Sequence, residues 1–189
     1  MNTEKTRLDA FLKQKRLSLE KELAKGFSSR VFLVKKGKKN YALKVERDKS
    51  RRKDMLRKEV KNLRLANSAG IGPRLVSFST ENRCILMEYI PGPSLREWVF
   101  GKRKFNESIK VIRELLVQAQ KLDSLGLSHG QLAGKGANII VSNGRPVIID
   151  FEKASSNRKS KNFSQLFAFL FLNPHGSVKK RVWEIIEKG

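Results

Sequence analysis

The sequence has few of the residues from which disulfide-bonded or zinc-centred proteins are built. It contains one cysteine and two histidines in 189 residues. Because Cys84 has no second cysteine to pair with, an intrachain disulfide is excluded, which fits a reducing compartment such as the cytoplasm. The histidines, His129 and His175, lie far from it in sequence, and no Cys/His cluster of the kind that holds zinc is present.

Long apolar runs are also missing. The most apolar stretch, residues 166–172, is much shorter than the roughly 20 residues that a membrane-spanning helix needs. No apolar segment follows the first residues, so no secretory signal is expected. We therefore expect no membrane partner and a cytoplasmic location.

Acidic residues are scarce relative to basic ones. There are 41 Lys and Arg against 18 Asp and Glu, a formal net charge of +23. Such a charge favours anionic partners: ATP, RNA or an acidic protein face. A basic cluster around the segment 49–67 suggests an RNA or ribosomal partner, although basic helices are often only solvated and this one lacks the interleaved aromatics of single-strand binders. The cluster consists of Arg47, Lys49, Arg51, Arg52, Lys53, Arg57, Lys58, Lys61 and Arg64.

The order of predicted elements indicates an α+β protein. A basic helix over residues 1–16 precedes five strands, and a helix over 49–67 interrupts them. The strands are predicted over residues 17–25, 30–36, 41–45, 74–79 and 84–89. Breaker-rich residues 90–93 then mark a boundary, and the second half is mainly helical.

The second half opens with a capping box at Ser94–Glu97, which predicts a helix start. Asn106 and Glu107 are expected to cap the next helix. Its apolar stripe is Ile109, Ile112, Leu116, Ala119 and Leu122. A hairpin is predicted from 139–141 and 146–149, followed by helices over 162–172 and 177–188.

Lys44 and Glu59 form the first candidate functional pair. Lys44 lies among apolar residues on a predicted strand. Glu59 borders the apolar stripe of the next helix, between Leu56 and Leu63, where a carboxylate needs a partner. Alone, Lys44 would be interpreted as an exposed lysine on a strand, and Glu59 as a partner of any nearby Lys or Arg. If the two form a pair, Glu59 would hold the Lys44 ammonium where it can meet phosphate oxygens.

Asn138 and Asp150 form the second pair. They flank the two strands of the predicted hairpin, which brings them near each other. Oxygen ligands of this kind suit Mg²⁺, which takes one or two protein oxygens plus phosphate. Asn and Asp are also common turn residues, so the pair is weak on its own.

The order of these residues resembles the protein kinases. Tyr-Ala-Leu-Lys44 resembles the kinase strand that carries the phosphate-binding lysine, and Glu59 matches the glutamate of the following helix. Residues 85–90 look like the strand and hinge that hold adenine, His129 begins a degenerate catalytic loop, and Asp150-Phe-Glu resembles Asp-Phe-Gly.

The resemblance implies a bilobal, kinase-like α+β fold with one domain over 1–189: a strand-rich N-lobe (1–90) with a basic N-terminal extension, and a reduced helical C-lobe (91–189). It implies ATP and Mg²⁺ as cofactors. Catalytic roles fall to Lys44, Glu59, Gln131 and Asp150, and metal binding to Asn138 and Asp150. Nucleotide contacts are assigned to Gly26, Val31, Ala42, Lys44, Met87, Glu88, Ile90, Ile140 and Ile149.

Several positions depart from the kinase pattern. Gln131 stands where the catalytic aspartate belongs, and Gln131 and Asn138 are seven positions apart instead of five. Glu152 replaces the glycine after Asp-Phe, Ala24 and Ser29 replace two loop glycines, and no Ala-Pro-Glu motif follows. The chain resembles the small atypical kinases: the Rio group, the kinase of the tRNA-threonylcarbamoylation complex, and compact archaeal serine/threonine kinases.

A weakened phosphotransferase is therefore the leading expectation, of the serine/threonine protein kinase type, with an unidentified protein substrate. A carboxamide cannot take a proton at neutral pH, but general-base help contributes only roughly 10²–10⁴ in rate. The alternative is an ATP-binding pseudokinase or ATPase that acts as an RNA- or ribosome-associated regulatory module. Glu152 and Lys135 are candidates for a compensating role.

Overall fold

The computed structural model describes residues 3–48, 55–134 and 136–188. The chain divides into two compact units. The strand unit comprises Met1–Arg64 and Pro73–Tyr89, and the helical unit comprises Leu65–Gly72 and Ile90–Gly189. Four members of the predicted basic cluster (Lys49, Arg51, Arg52 and Lys53) and the candidate Lys135 lie outside the described residues.

Among the residues that the structure describes, the strand unit has one antiparallel sheet and two helices, in the predicted order. Its elements are α1 (Glu4–Lys15), β1 (Ser18–Lys25), β2 (Ser29–Lys36), β3 (Lys39–Glu46), α2 (Met55–Ser68), β4 (Leu75–Ser79) and β5 (Cys84–Glu88). The five strands lie in the order β1-β2-β3-β5-β4. Gly37, with φ +57°, supplies the left-handed backbone that the two-residue turn between β2 and β3 needs at its first position.

The two faces of this sheet pack against different helices. Phe32, Val34, Leu43 and Val45 point to the face that is covered by Leu8, Phe11 and Leu12 of α1. On the other face, Leu56 and Val60 of α2 pack with Ile85 and Met87 of β5. Because side chains alternate along a strand, Lys44 lies on the α2 face, between two residues that point to the α1 face. The apolar residues of α1 that meet the sheet, Leu8, Phe11 and Leu12, are buried.

In the described residues the helical unit contains four α-helices, a two-stranded hairpin and a short 3-10 turn at Phe151–Lys153. Its elements are α3 (Leu95–Phe100), α4 (Phe105–Ser124), β6 (Ile139–Ser142), β7 (Arg145–Ile148), α5 (Asn162–Phe167), a π-helical segment (Ala168–Leu172) and α6 (Ser177–Ile186). The capping box predicted at Ser94 and Glu97 is confirmed, with both reciprocal hydrogen bonds present. Asn143 and Gly144 turn the hairpin with φ +50° and +71°. No helix in the described ranges is long and apolar enough to cross a membrane.

Two expectations for α4 are wrong in detail. The helix begins at Phe105 after Lys104 and has no side-chain cap, so Asn106 and Glu107 do not cap it. Its buried stripe is also rotated, since Ile109 is exposed and Leu116 half-buried, while Ser108, Val111 and Leu115 are buried instead. Apolar residues cover a wide arc of this helix, so its own periodicity does not fix which side faces the core. Packing against β7 and α5 decides it.

Candidate functional site

The buried ion pair between Lys44 and Glu59 is the best-defined polar feature of the strand unit. The Nζ of Lys44 donates to Oε1 of Glu59 at 2.8 Å. The residues are only 8% and 5% exposed. Lys44 comes from the centre of β3 and Glu59 from the second turn of α2, so the pair ties the helix to the sheet. The contact expected from the spacing of the α2 stripe is therefore present.

Three residues assigned to the nucleotide lie on the same sheet face as Lys44. Val31 of β2 pairs directly with Lys44, and Ala42 pairs with Met87 of β5. Directly opposed residues on antiparallel strands project to one face, as do Ala42 and Lys44, which are two positions apart. Val31 and Met87 are half-buried, and Ala42 is buried. The sheet thus presents one ammonium beside a set of small and medium apolar side chains.

The turn between β1 and β2 is closed by backbone bonds although only one loop glycine remains. The N–H of Gly26 donates to the carbonyl of Ser29 at 2.8 Å. Arg47 braces the turn, because its Nη1 donates to the Gly26 carbonyl and its N–H to the Ser28 carbonyl, both at 2.8 Å. The role of Arg47 was not predicted, since it depends on a residue 21 positions away. Phe27 stands exposed at the tip.

Glu88, the last residue of β5, already forms two hydrogen bonds with Arg74. The N–H of Glu88 donates to the carbonyl of Arg74 at 2.9 Å, and its carboxylate accepts from the N–H of Arg74 at 3.2 Å. Any backbone bond from Glu88 to a nucleotide would therefore use its carbonyl oxygen. Ile90, which begins the second stretch of the helical unit, is half-buried.

The β6–β7 hairpin brings Asn138 beside the end of β7, as expected. The N–H of Ile149 donates to the carbonyl of Asn138 at 2.9 Å, so Asp150 follows one residue beyond this bond. Asp150 has φ +64°, a left-handed conformation that aspartate tolerates better than most residues but that still carries strain. Ile140 and Ile149, the two hairpin residues assigned to adenine, are half-buried.

Asn138 also contacts the degenerate catalytic loop. Its Nδ2 donates to the carbonyl of Gln131 at 3.3 Å. The amide oxygen of Asn138 makes no hydrogen bond within the described part of the chain. That oxygen and the carboxylate of Asp150 are hard donors of the type that Mg²⁺ prefers, so the chemistry of the pair fits this ion. The side chain of Gln131 is half-buried.

His129 supports this region from the core. Its ring is fully buried and meets the ring of Phe151 edge-on, with centroids 5.1 Å apart. Its Nε2 lies 2.9 Å from the carbonyl of Ile149, so Nε2 carries the proton that is donated. Burial lowers the pKa of His129, against the opposing effects of this hydrogen bond and of Asp150. A neutral, structural histidine is the result.

Asp123 and Asn162 hold the segment that leads into the degenerate catalytic loop, residues 127–129, in place. Neither residue was predicted to do so. Asn162 accepts from the N–H of His129 at 2.9 Å and donates to the carbonyl of Leu127 at 2.8 Å. Asp123 accepts from the N–H groups of Asn162 and Phe163 and from the hydroxyl of Ser160. Burial raises the pKa of Asp123, but these hydrogen bonds outweigh it and leave the pKa below its usual value. The only sequence signal was a carboxylate beside the buried Leu122.

A cavity of about 990 Å³ lies beside Gln131 in the helical unit. The π-helical segment and the residues around it form the opposite wall, through Ala168, Phe169 and Leu172. No titratable side chain is found among the described lining residues. Four carboxamides supply most of the polar side chains instead: Gln131, Asn138, Gln165 and Asn173. The cavity can therefore bind a neutral polar group, but its described walls cannot take a proton from it.

A model of the phosphotransferase enzyme family (APH) matches residues 20–137, more than half of the chain. The chain belongs to the phosphotransferase enzyme family. The matched region includes Lys44, Glu59 and Gln131, and Asn138 follows it directly.

Individual members of related families show how far this likeness extends. An uncharacterized protein of Methanocaldococcus jannaschii is 34% identical over 103 residues, which are 54% of this chain and 85% of the relative. The KEOPS complex subunit Bud32 of Pyrococcus abyssi is 34% identical over 131 residues, 69% of this chain and 58% of Bud32. A probable myosin light chain kinase of Dictyostelium discoideum is 34% identical over 119 residues, 60% of this chain and 38% of the kinase.

These similarities identify the chain as a small, atypical, kinase-like member of the phosphotransferase enzyme family. The predicted fold class is confirmed, because an antiparallel sheet with its helices is followed in sequence by a mainly helical unit. The chain spans a little over half the length of Bud32 and less than half of the myosin light chain kinase.

Proposed function

We propose that this member of the phosphotransferase enzyme family binds Mg-ATP and transfers its γ-phosphoryl group slowly, as an atypical protein kinase of the serine/threonine type. The buried Lys44–Glu59 pair supports this proposal most strongly. Burying two charges costs several kcal/mol per ion, and a hydrophobic pair of similar volume is often as stable or more so. A buried pair is therefore poorly explained by stability alone. It is well explained if the ammonium must be held in one place for a phosphate.

Lys44 would neutralise phosphate oxygens of ATP, and Glu59 would fix the position of its ammonium. Asn138 and Asp150 would hold Mg²⁺. When bound, the ion neutralises charge that develops on the β- and γ-phosphate oxygens. Both residues offer oxygen atoms, and the left-handed backbone at Asp150 is the kind of local strain that is common at functional sites.

The apolar face around Lys44 would receive the adenine ring. Val31, Ala42 and Met87 share this face, and an apolar surface with a few placed polar groups is typical of small-molecule sites. Ile140, Ile149 and the backbone of Ile90 are also proposed to contact the nucleotide. The carbonyl of Glu88 is the proposed acceptor from the adenine edge. Gly26 would let the β1–β2 turn approach the phosphates.

Gln131 would limit the rate. In the transfer step the bond from the γ-phosphorus to the ADP oxygen breaks and a bond to the acceptor oxygen forms. The proton of the acceptor hydroxyl must then pass to water or to a phosphate oxygen, because Gln131 cannot hold it. The described walls of the cavity beside Gln131 offer no other base. Positioning and charge neutralisation carry most phosphoryl-transfer catalysis, so a slow reaction survives the loss.

The same features support a second candidate, an ATPase or ATP-binding pseudokinase. Its specific support is the carboxamide at position 131, which can orient a water molecule or simply pack. We further propose that the protein acts in the cytoplasm with protein partners, as a subunit of a larger complex. Similarity to Bud32, which is a KEOPS subunit, and a net charge of +23 that repels free copies support this view.

Phosphoryl transfer from radiolabelled ATP, followed as autophosphorylation and as phosphate release, tests the proposal. Asp150→Ala serves as the blank. The parent should exceed the blank with Mg²⁺ present, and Gln131→Ala should lose activity if the amide orients the nucleophile. Gln131→Asp should gain activity only if the two-residue insertion leaves the carboxylate near the acceptor. A parent protein equal to the blank, across metals and temperatures, would leave the pseudokinase as the function.

A further inference from the structure

Four aromatic side chains form a continuous row on α5, the π-helical segment and α6. The aromatic row consists of Phe163, Phe167, Phe171 and Trp183. Successive ring centroids are 5.9, 4.9 and 6.5 Å apart. The first three residues recur every four positions, so they occupy one side of consecutive helical turns.

Two rings of the row are more exposed to solvent than packing between α5 and α6 requires. Trp183 does serve that packing, since its Nε1 donates to the carbonyl of Phe171 at 3.2 Å. Nevertheless, Phe167 remains 38% exposed and Trp183 41% exposed. Where the described residues place a cation over a ring, the ring lies outside the row, as with Arg96 over Phe100 and Arg103 over Trp98. Ring surface is thus left to solvent in the middle and at one end of the row.

The flanks of the row are rich in lysine, although the carboxylate of Asp123 accepts from the backbone N–H of Phe163 at the start of the row. Between Lys153 and Trp183 the sequence has no Asp or Glu. Lys159 and Lys161 immediately precede the first ring. Lys179 and Lys180 lie one helical turn before Trp183 on α6, on the same side of the helix. These four lysines form no ion pair within the described residues, whereas Glu184, next to Trp183, pairs with Arg181.

We propose that the aromatic row binds single-stranded RNA. Exposed rings beside lysines without ion pairs suit unpaired nucleotides, because bases can stack on Phe167 and Trp183 while the lysines meet the phosphates. Charge complementarity with the +23 chain favours a polyanion over a neutral apolar partner. RNA is favoured over DNA because unpaired stretches are its ordinary state. This surface differs from the basic cluster on α2, and its RNA binding would not depend on ATP.

The fluorescence of Trp183 reports on this surface directly, because the other tryptophan, Trp98, is only 3% exposed. Titration with a 12-nucleotide oligouridylate should quench it. A duplex RNA of the same length should not, since its bases are already stacked. If four lysines meet phosphates, log K should fall by about 3 per decade of salt, at roughly 0.7 per contact. An oligothymidylate arm compares DNA with RNA.

Variants then separate stacking from charge. Phe167→Leu should weaken oligouridylate binding roughly 5- to 150-fold, the range found when a stacked aromatic is removed, and Phe167→Trp should restore it. Phe100→Leu is the matched control, since Phe100 is 49% exposed but outside the row. Lys159→Gln with Lys161→Gln should reduce the salt slope by about 1.4. Lys38→Gln with Lys39→Gln, in the β2–β3 hairpin, should leave it unchanged.

Several results would overturn the proposal. Equal binding of duplex and single strand, or equal affinities for Phe167→Leu and Phe100→Leu, would reduce the interaction to unspecific charge. Loss of binding only on Arg57→Gln with Lys58→Gln would move the RNA site to α2. Quenching of Trp183 by an acidic peptide but not by RNA would assign the row to an acidic protein. Tighter binding of oligothymidylate would assign it to single-stranded DNA.

Discussion

Removing the Lys44–Glu59 pair one side chain at a time should separate its structural role from its role in binding. Lys44→Met leaves the buried carboxylate of Glu59 without the ammonium that lies 2.8 Å away. Breaking a buried pair from one side typically costs about 3–5 kcal/mol, because a charge stays in a low-dielectric site. Glu59→Leu should cost a similar amount. The double variant removes both charges. Its loss of stability should therefore be well below the sum of the two single losses, so that its free energy of unfolding is near that of the parent.

Two assays on the same four proteins complete the cycle. Urea unfolding followed by far-ultraviolet circular dichroism gives the free energy of unfolding of each. Isothermal titration with Mg-ATP then gives affinity. The double variant should regain most of the stability lost by either single variant and should still fail to bind Mg-ATP. Additive losses of stability would mean that the pair is not coupled. Mg-ATP binding by the double variant at the parent affinity would refute the assignment of Lys44 to the phosphates.

Three further predictions concern the helical unit. Asn162→Ala removes the acceptor for the buried N–H of His129 and should cost roughly 1–3 kcal/mol in urea unfolding, whereas Asn157→Ala, at an exposed position, should cost little. Burial holds the pKa of His129 below its usual 6.5, so the unfolded chain binds more protons than the folded one as the solution becomes acidic. Stability should therefore fall as the pH drops below 6.5 and level off below the folded pKa. His129→Phe should lack this slope between pH 7.5 and 5.5. Gly72→Ala combines a φ of +81° with a Cβ 2.8 Å from the Phe151 ring, so its midpoint urea concentration should drop further than that of Gly70→Ala, whose φ is +71° but whose Cβ meets nothing within 4 Å.

Each of these predictions has a contrary outcome. Equal unfolding curves for the Asn162 and Asn157 variants would mean that the loop does not depend on the Asn162 side chain. A pH slope that persists in His129→Phe would assign the titration to another group. Equal effects of the two glycine substitutions would show that backbone strain, and not the approach to Phe151, determines the cost at Gly72.

The sequence predicted the fold through local patterns. Short apolar runs bounded by turn residues, such as residues 31–34, located the strands. The β6–β7 hairpin was visible because Asn-Gly favours the left-handed turn between two apolar runs. Glu59 was paired with Lys44 because its place between Leu56 and Leu63 put a carboxylate beside a buried stripe. The sheet order then brought Val31, Ala42 and Met87 to one face, as alternation requires.

Features that depend on distant contacts were missed. Asn162 and Asp123 lie 39 positions apart, and nothing in either neighbourhood reveals that they meet. The predicted buried side of α4 was wrong by about one residue. The helix has apolar residues on both candidate sides, Val111 and Leu115 on one and Ile109 and Leu116 on the other, and the sequence does not say which side is buried. The π-helical segment lies within an apolar run that is equally consistent with an ordinary α-helix. The cavity that this segment helps to line could therefore not be predicted from the sequence either.

Binding of Mg-ATP to three proteins tests the central claim most directly. The parent, Lys44→Ala and Asp150→Ala should be titrated with a fluorescent ATP analogue, with Mg²⁺ and with EDTA. We expect the parent to bind only weakly without the metal, Lys44→Ala to lose affinity under both conditions, and Asp150→Ala to lose the metal dependence. If both variants bind Mg-ATP as the parent does, neither residue belongs to a nucleotide site, and the assignment of this site is wrong.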